Sequence, residues 1–128
     1  MPEFMLLLHE QNRVSASGTM PPDMSPDDIQ AVIQRYIAWR DRVAKGGRKI
    51  SGHKLVDGTG RVMKGAGSPK VTDGPYAEAR EVIGGLFVVE AKDYEEAVAL
   101  SRDCPHLDFG TIEIRQIEPT GRAAPANA

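Results

Sequence analysis

Two apolar runs, Phe4–His9 and Val82–Ala91, each precede a segment with a helix-start signature, and that repeated order leaves few folds open. Phe4-Met5-Leu6-Leu7-Leu8-His9 has the pattern of a strand covered on both faces, and a polar, Pro/Gly-rich loop from Glu10 to Met24 follows it. Val82–Ala91 carries Leu86-Phe87-Val88-Val89 at its middle and reads as a second central strand, with Gly84-Gly85 permitting a bulge or a close backbone approach. Ser25-Pro26-Asp27-Asp28 supplies an N-cap, a proline in the first turn and two carboxylates for the positive end of the helix dipole. Ile29, Val32, Ile33, Tyr36, Ile37, Val43 and Ala44 then recur at the helical period until Gly46-Gly47 stops the helix. Asp93-Tyr94-Glu95-Glu96 predicts a capping box opening a second helix, with Tyr94, Ala97, Val98 and Ser101 inward and an end near Asp103, before Pro105. Thr111–Ile117 alternates as a strand with one polar face. Two weaker strands, Ile50–Val56 and about Gly60–Lys64, are expected to pair as a hairpin across Asp57-Gly58-Thr59-Gly60.

The order strand, helix, strand pair, strand, helix, strand predicts an α+β fold of the ferredoxin-like, split βαβ kind. Its sheet is antiparallel, both helices cover one face, and the hairpin adds an extra strand. The other face is left bare, with either Met5 and Leu7 or Phe87 and Val89 pointing to it, so a homodimer packed sheet to sheet is expected. At 128 residues the chain fits one domain, expected over 1–119, while 120–128 lacks periodicity and predicts a disordered tail. A net charge of −2 provides no general field for nucleic acid or an anionic membrane. The longest apolar run, Phe4–Leu8, is too short to span a bilayer and no basic segment precedes it, so a cytoplasmic location is expected. One cysteine, Cys104, rules out an internal disulfide, and with three histidines it makes a poor start for a metal site. Its neighbours Asp103 and Asp108 oppose thiolate formation, which predicts a buried, inert thiol, and His106 is expected to act locally. Neither Gly58-Thr59-Gly60-Arg61-Val62-Met63 nor Gly65-Ala66-Gly67-Ser68-Pro69-Lys70 has the spacing of a nucleotide-binding loop, so no cofactor is implied.

Several residues carry candidate chemistry, each beside a plain structural alternative. Asp73-Gly74-Pro75 is turn chemistry, yet followed by Tyr76 and Glu78 it sets two carboxylates and a phenol at one cleft edge. His9 ends the first strand on the side of Met5 and Leu7. Glu113 and Arg115 share that face if the last strand pairs beside the first, giving either a polar patch for a ligand or a solvent-edge ion pair. His53 is a surface residue or a further ligand contact. Arg40 falls within the apolar stripe of the first helix, where it either snorkels past the sheet edge or binds an anion. Residues 35–54 carry seven Lys and Arg against Asp41 alone, while 72–118 carry eleven acids and four bases. That asymmetry suits a solvated face or attraction to an opposite surface.

Val71-Thr72-Asp73-Gly74-Pro75-Tyr76-Ala77-Glu78 lies between the opening Met5-Leu6-Leu7-Leu8 and Glu81-Val82-Ile83-Gly84-Gly85-Leu86-Phe87-Val88-Val89. Cys104-Pro105 and Gly110-Thr111-Ile112-Glu113-Ile114-Arg115 close the series. In that order, over about Phe4 to Pro119, it resembles the YCII-related, or DGPF-domain, family. The resemblance implies a ferredoxin-like dimer. Many members resemble partners encoded near extracytoplasmic-function sigma factors, and a few wider relatives are dehydrochlorinase-like enzymes with a His–Asp pair. The family motif ends in Phe where Tyr76 stands here, adding a phenol. Enzyme-like relatives carry their histidine near the start of the first helix, and no histidine lies between His9 and His53 here, so that dyad does not carry over by position.

Two functions fit these residues. In the first, a small dimeric protein binds a small polar or anionic molecule, with proton-transfer chemistry from His9 as base, Asp73 as its partner and Tyr76 as donor, and with Arg40, His53, Glu78, Glu113 and Arg115 around the ligand. In the second, a non-catalytic regulatory protein contacts a sigma factor through its charged surfaces.

Overall fold

The computed structural model describes residues 1–11, 24–74 and 81–119. The expected disordered tail, the middle of the Glu10–Met24 loop, Tyr76 and Glu78 lie outside them. The chain folds in the order β1 (Glu3–Gln11), α1 (Pro26–Lys45), β2 (Ile50–Lys54), β3 (Arg61–Lys64), β4 (Lys70–Asp73), β5 (Glu81–Glu90), α2 (Tyr94–Ser101), a 3-10 turn (Pro105–Asp108) and β6 (Thr111–Ile117). β2, β5, β1 and β6 form one sheet in that order, every pair antiparallel, so the two apolar runs are the two central strands. The fold is α+β, with both helices on one face of the sheet. No helix among the described residues is long and apolar enough to cross a membrane.

Strand parity separates the two faces. Phe4, Leu6 and Leu8 of β1 and Phe87 and Val89 of β5 are buried under the helices, against Trp39, Val43, Ala97 and Cys104. Each such side chain contributes about 1.5–3 kcal/mol by leaving water. Met5 and Leu7 point the other way, directly opposite Val88 and Leu86, and with no element above them among the described residues these four remain half-buried. Phe87 and Val89 therefore belong to the helix side. At the end of the β1–β5 ladder Leu8 pairs with Gly85 and His9 with Ile83, leaving Gly84 over as a bulge.

Local chemistry sets the helices. Ser25 caps α1 by accepting from the Asp28 amide, and the Asp28 carboxylate accepts from the Ser25 amide in return. Trp39 is buried, and its indole Nε1 donates to the Leu100 carbonyl at 2.9 Å, joining α1 to the end of α2. Asp93 caps α2, but Glu96 accepts from the Lys92 amide at 2.7 Å rather than from Asp93, because the same carboxylate also takes both nitrogens of Arg48 at 3.0 and 2.7 Å. The helix ends at Ser101, short of Asp103. Ala97 and Ser101 are its buried residues, Val98 is exposed, and Tyr94 is exposed yet sets its ring edge-on to Phe4 at 4.9 Å. The basic and acidic segments meet inside the chain, since Arg48 pairs with Glu96 and Arg35 with Asp108.

The strand pair after α1 differs from the expected hairpin. β2 pairs with β5, where its edge completes the main sheet, and β3 pairs instead with β4 in a separate two-stranded sheet. The turn that closes β3–β4 spans Gly65 to Pro69, with Gly65 and Gly67 at φ of 104° and 84°, values that disfavour a side chain. Asp57–Gly60 serves as a crossing between sheets.

Candidate functional site

On α1, Ile33, Tyr36, Ile37 and Arg40 recur at the helical spacing and form a stripe beside the buried one of Val32, Trp39 and Val43. The buried stripe meets the sheet, and the second stripe overhangs the β2–β5 edge. Between it and the sheet lies a cleft of about 440 Å³, with Leu8, Glu10, Gly52, Gly85 and Phe87 among its lining residues. This explains Arg40 in an apolar stripe. Its guanidinium carbon lies 5.8 Å from the centre of the Phe87 ring, and it forms no ion pair among the described residues. Trp39 meets the same ring edge-on at 5.0 Å, and Tyr36 lies alongside at 6.4 Å. Lys54 lines the cleft from β2, whereas His53 borders it through its backbone and, opposite Leu86, belongs by strand parity to the open face.

Three further ionisable groups line the cleft: Tyr36 from α1, Glu10 from β1 and His106 from the turn before β6. Glu10 is buried on the helix side of β1, which continues to Gln11 rather than yielding to loop at Glu10. Burial drives the Tyr36 phenol well above its ordinary value, and the neighbouring Cys104 thiol and Glu10 carboxylate add to the shift, so the hydroxyl keeps its proton. His106 is buried and its Nε2 donates to the His9 carbonyl at 2.8 Å, a long-range bond rather than the local role expected of it. Gly110 permits this, because a side chain there would strike both the His9 carbonyl and the His106 ring. Burial lowers the His106 pKa, which favours the neutral ring. Burial also pushes the Cys104 thiol up to about 11, as an inert thiol requires.

The open face of the sheet holds the second cluster. His9 Nε2 donates to Glu113 at 2.9 Å, and Arg115 stands 3.6 Å from the other carboxylate oxygen. The register fixes this grouping, since Glu113 is opposite Leu7 and Arg115 opposite Met5. The hydrogen bond from His9 holds the Glu113 carboxyl below its ordinary value, and Arg115 adds to the effect. Asp73 sits elsewhere: it ends β4 with its side chain 92% exposed and faces Arg61 at 3.5 Å, so the carboxylate at His9 is Glu113. The structure thus brings His9, Glu113 and Arg115 together on the open face, to which the register also turns His53, and brings Arg40 to the cleft beneath α1, while Asp73 stands on the hairpin. No group of three or more His, Cys, Asp or Glu placed to hold a metal ion occurs among the described residues.

Sequence reasoning passed over Glu10, Tyr36 and His106. Tyr36 had a usable signal, being a phenol four residues before an arginine on the same stripe. Glu10 and His106 reach the cleft only through the length of β1 and the turn after α2.

A four-stranded antiparallel sheet with two helices on one face, and a cleft of ligand size beneath the first helix, defines the class of protein. A model of the YCII-related domain matches residues 3–120, nearly the whole chain, and the protein belongs to the YCII-related family. The chain is also similar to an uncharacterised protein of Rhizobium meliloti, 24% identical over 117 residues that cover 88% of this chain and 89% of that one.

Proposed function

We propose that this protein binds a small molecule with an apolar body and an anionic group in the cleft beneath α1, and that it works as a homodimer. Arg40 carries the reading: a guanidinium held over an aromatic ring, without an ion pair among the described residues, at the mouth of an apolar cleft offers a site for a carboxylate or phosphate. Proton transfer, if the bound molecule undergoes it, falls to Glu10 or His106 rather than to His9 and Asp73, which lie away from the cleft.

The second copy is the occupant we assign to the open face. Met5, Leu7, Leu86 and Val88 make an apolar centre across the two central strands, and two such centres facing each other about a two-fold axis are self-complementary. The strand order reads as the ferredoxin-like plan, with the β3–β4 hairpin as an insertion between its second and third strands.

A thermal-shift and calorimetric panel of small carboxylates, phosphate monoesters and their neutral isosteres tests the site. Anions should stabilise the wild type more than their isosteres do, and Arg40→Gln should abolish that preference with the fold intact by circular dichroism. Equal stabilisation by anions and isosteres refutes the site. Sedimentation velocity tests the dimer, which Leu7→Asp should dissociate; a wild-type monomer at micromolar concentration refutes it.

A further inference from the structure

Strand pairing arranges the open face of the sheet as rows that cross all four strands. One row runs His53, Leu86, Leu7, Glu113 and the next Ser51, Val88, Met5, Arg115, each from the β2 edge to the β6 edge. Neighbours along a row are about 4.8 Å apart, and successive rows about 7 Å apart. Beyond these two rows, Glu3 and Glu90 stand opposite each other on one side and His9 lies on the other. Each row is thus apolar at its middle and polar at its ends, and the two β6 ends carry opposite charges. Glu113 is engaged by His9 at 2.9 Å, whereas the Arg115 side chain is 69% exposed and stands 3.6 Å from Glu113, too far for a hydrogen bond. The guanidinium therefore keeps its donors for another acceptor.

We propose that a second copy of this chain covers the open face about a two-fold axis that crosses the strands between the two rows, so that each Arg115 reaches the partner's Glu113. This orientation rests on the reading of the protein as a homodimer and fixes how its two copies meet. Such an axis exchanges the rows. Leu7 comes over the partner's Met5, Leu86 over the partner's Val88, and Arg115 over the partner's Glu113. One row further out, Glu3 comes over the partner's His9, a ring able to take a proton. The other simple face-to-face arrangement has its axis along the strands and exchanges β1 with β5 and β2 with β6. It sets Glu3 over the partner's Glu90 and Glu90 over the partner's Glu3, acid on acid, while Arg115 faces only the partner's Ser51. Met5, Leu7, Leu86 and Val88 meet apolar partners either way, so the charges decide, and like charges brought together across an interface are penalised. Packed sheets turn their facing strands by about 30°, which displaces positions about 7 Å from the centre by about 4 Å. The flexible stems of Arg115 and Glu113 take up that shift.

Sedimentation velocity and native mass spectrometry on the full chain test this at about 0.15 M salt, where charges more than about 8 Å apart are screened. Glu113→Arg and Arg115→Glu each put like charges at both contacts, so each alone should dimerise about ten-fold more weakly than the wild type, about three-fold per contact. An equimolar mixture of the two should recover the lost affinity as a mixed dimer. The double variant Glu113→Arg/Arg115→Glu restores both contacts with reversed polarity and should dimerise on its own. Mixed with wild type, it should form about one mixed dimer in ten, against about one in two for indifferent surfaces. The exchange leaves the mass unchanged, so the double variant carries a nitrogen-15 label. Glu113 also holds His9, so if Glu113→Arg fails to fold by circular dichroism, the exposed Arg115 carries the test. Arg115→Glu should then weaken the dimer about ten-fold and Arg115→Lys should keep most of the affinity. A wild-type monomer overturns the homodimer and this orientation with it. A wild-type dimer that Arg115→Glu leaves undiminished, or that mixes freely with the double variant, overturns the orientation and leaves the homodimer standing.

Discussion

Replacing Trp39 by Phe isolates the contact that ties the two helices together. The indole is 1% exposed, meets the Phe87 ring edge-on, and donates to the Leu100 carbonyl at 2.9 Å. Phenylalanine keeps an aromatic ring at the site but has no donor. Losing the hydrogen bond costs about 1 kcal/mol, and the carbonyl left without its partner raises that to about 1–3 kcal/mol. The side chain also loses three heavy atoms, worth about 1 kcal/mol in transfer and cavity terms where the core cannot close around the gap. The expected loss is thus about 2–4 kcal/mol, or a fall in Tm of roughly 8–15 °C for a domain of this size. Because Trp39 is the sole tryptophan, its replacement removes the fluorescence signal, so urea unfolding should be followed by far-ultraviolet circular dichroism. A loss below about 1 kcal/mol with an unchanged denaturant slope would show that the indole N–H does not join α1 to α2.

The Glu113 carboxyl has a folded pKa below its ordinary 4.5, so its contribution to stability is present above that value and is lost as pH falls through the folded pKa. The stability difference between wild type and Glu113→Gln should shrink as pH falls below 4.5, and a difference undiminished at the lowest pH that keeps the native state would refute the pair with His9. Cys104, buried and with its thiol pushed up to about 11, should react with a disulfide reagent only as fast as the chain opens. Immediate stoichiometric labelling of the native protein in mildly alkaline buffer would contradict that.

The central strands and both helix starts were legible because their signals are local: apolar runs, caps and a helical period that need no partner to be read. Gly84-Gly85 permitted either a bulge or a close backbone approach, and the structure has a bulge at Gly84. The pairing of β2 and β3 was not legible, since Asp57–Gly60 has hairpin chemistry whether or not its flanking strands meet, and what decides is the stronger claim of β5 on β2. Arg40 stood out in its stripe, but whether it faced core, water or cleft depended on how far α1 overhangs the sheet. His9, Glu113 and Arg115 could be grouped once β6 was placed beside β1. Asp73 was harder, because its position follows from the β3–β4 pairing.

Gly84 has an effect beyond its own strand. As the residue without a counterpart in the β1–β5 ladder, it turns its carbonyl to the Leu55 amide, which it accepts at 2.9 Å just where the chain leaves β2. A miscount between two strands thereby becomes a mooring for a third segment. The hollow of about 240 Å³ at the root of the hairpin, bordered by Gly84, Leu55 and Gly74, is the space this mooring opens. A variant that lost the bulge would keep the central strands, yet it would cast the β3–β4 arm adrift on a new heading.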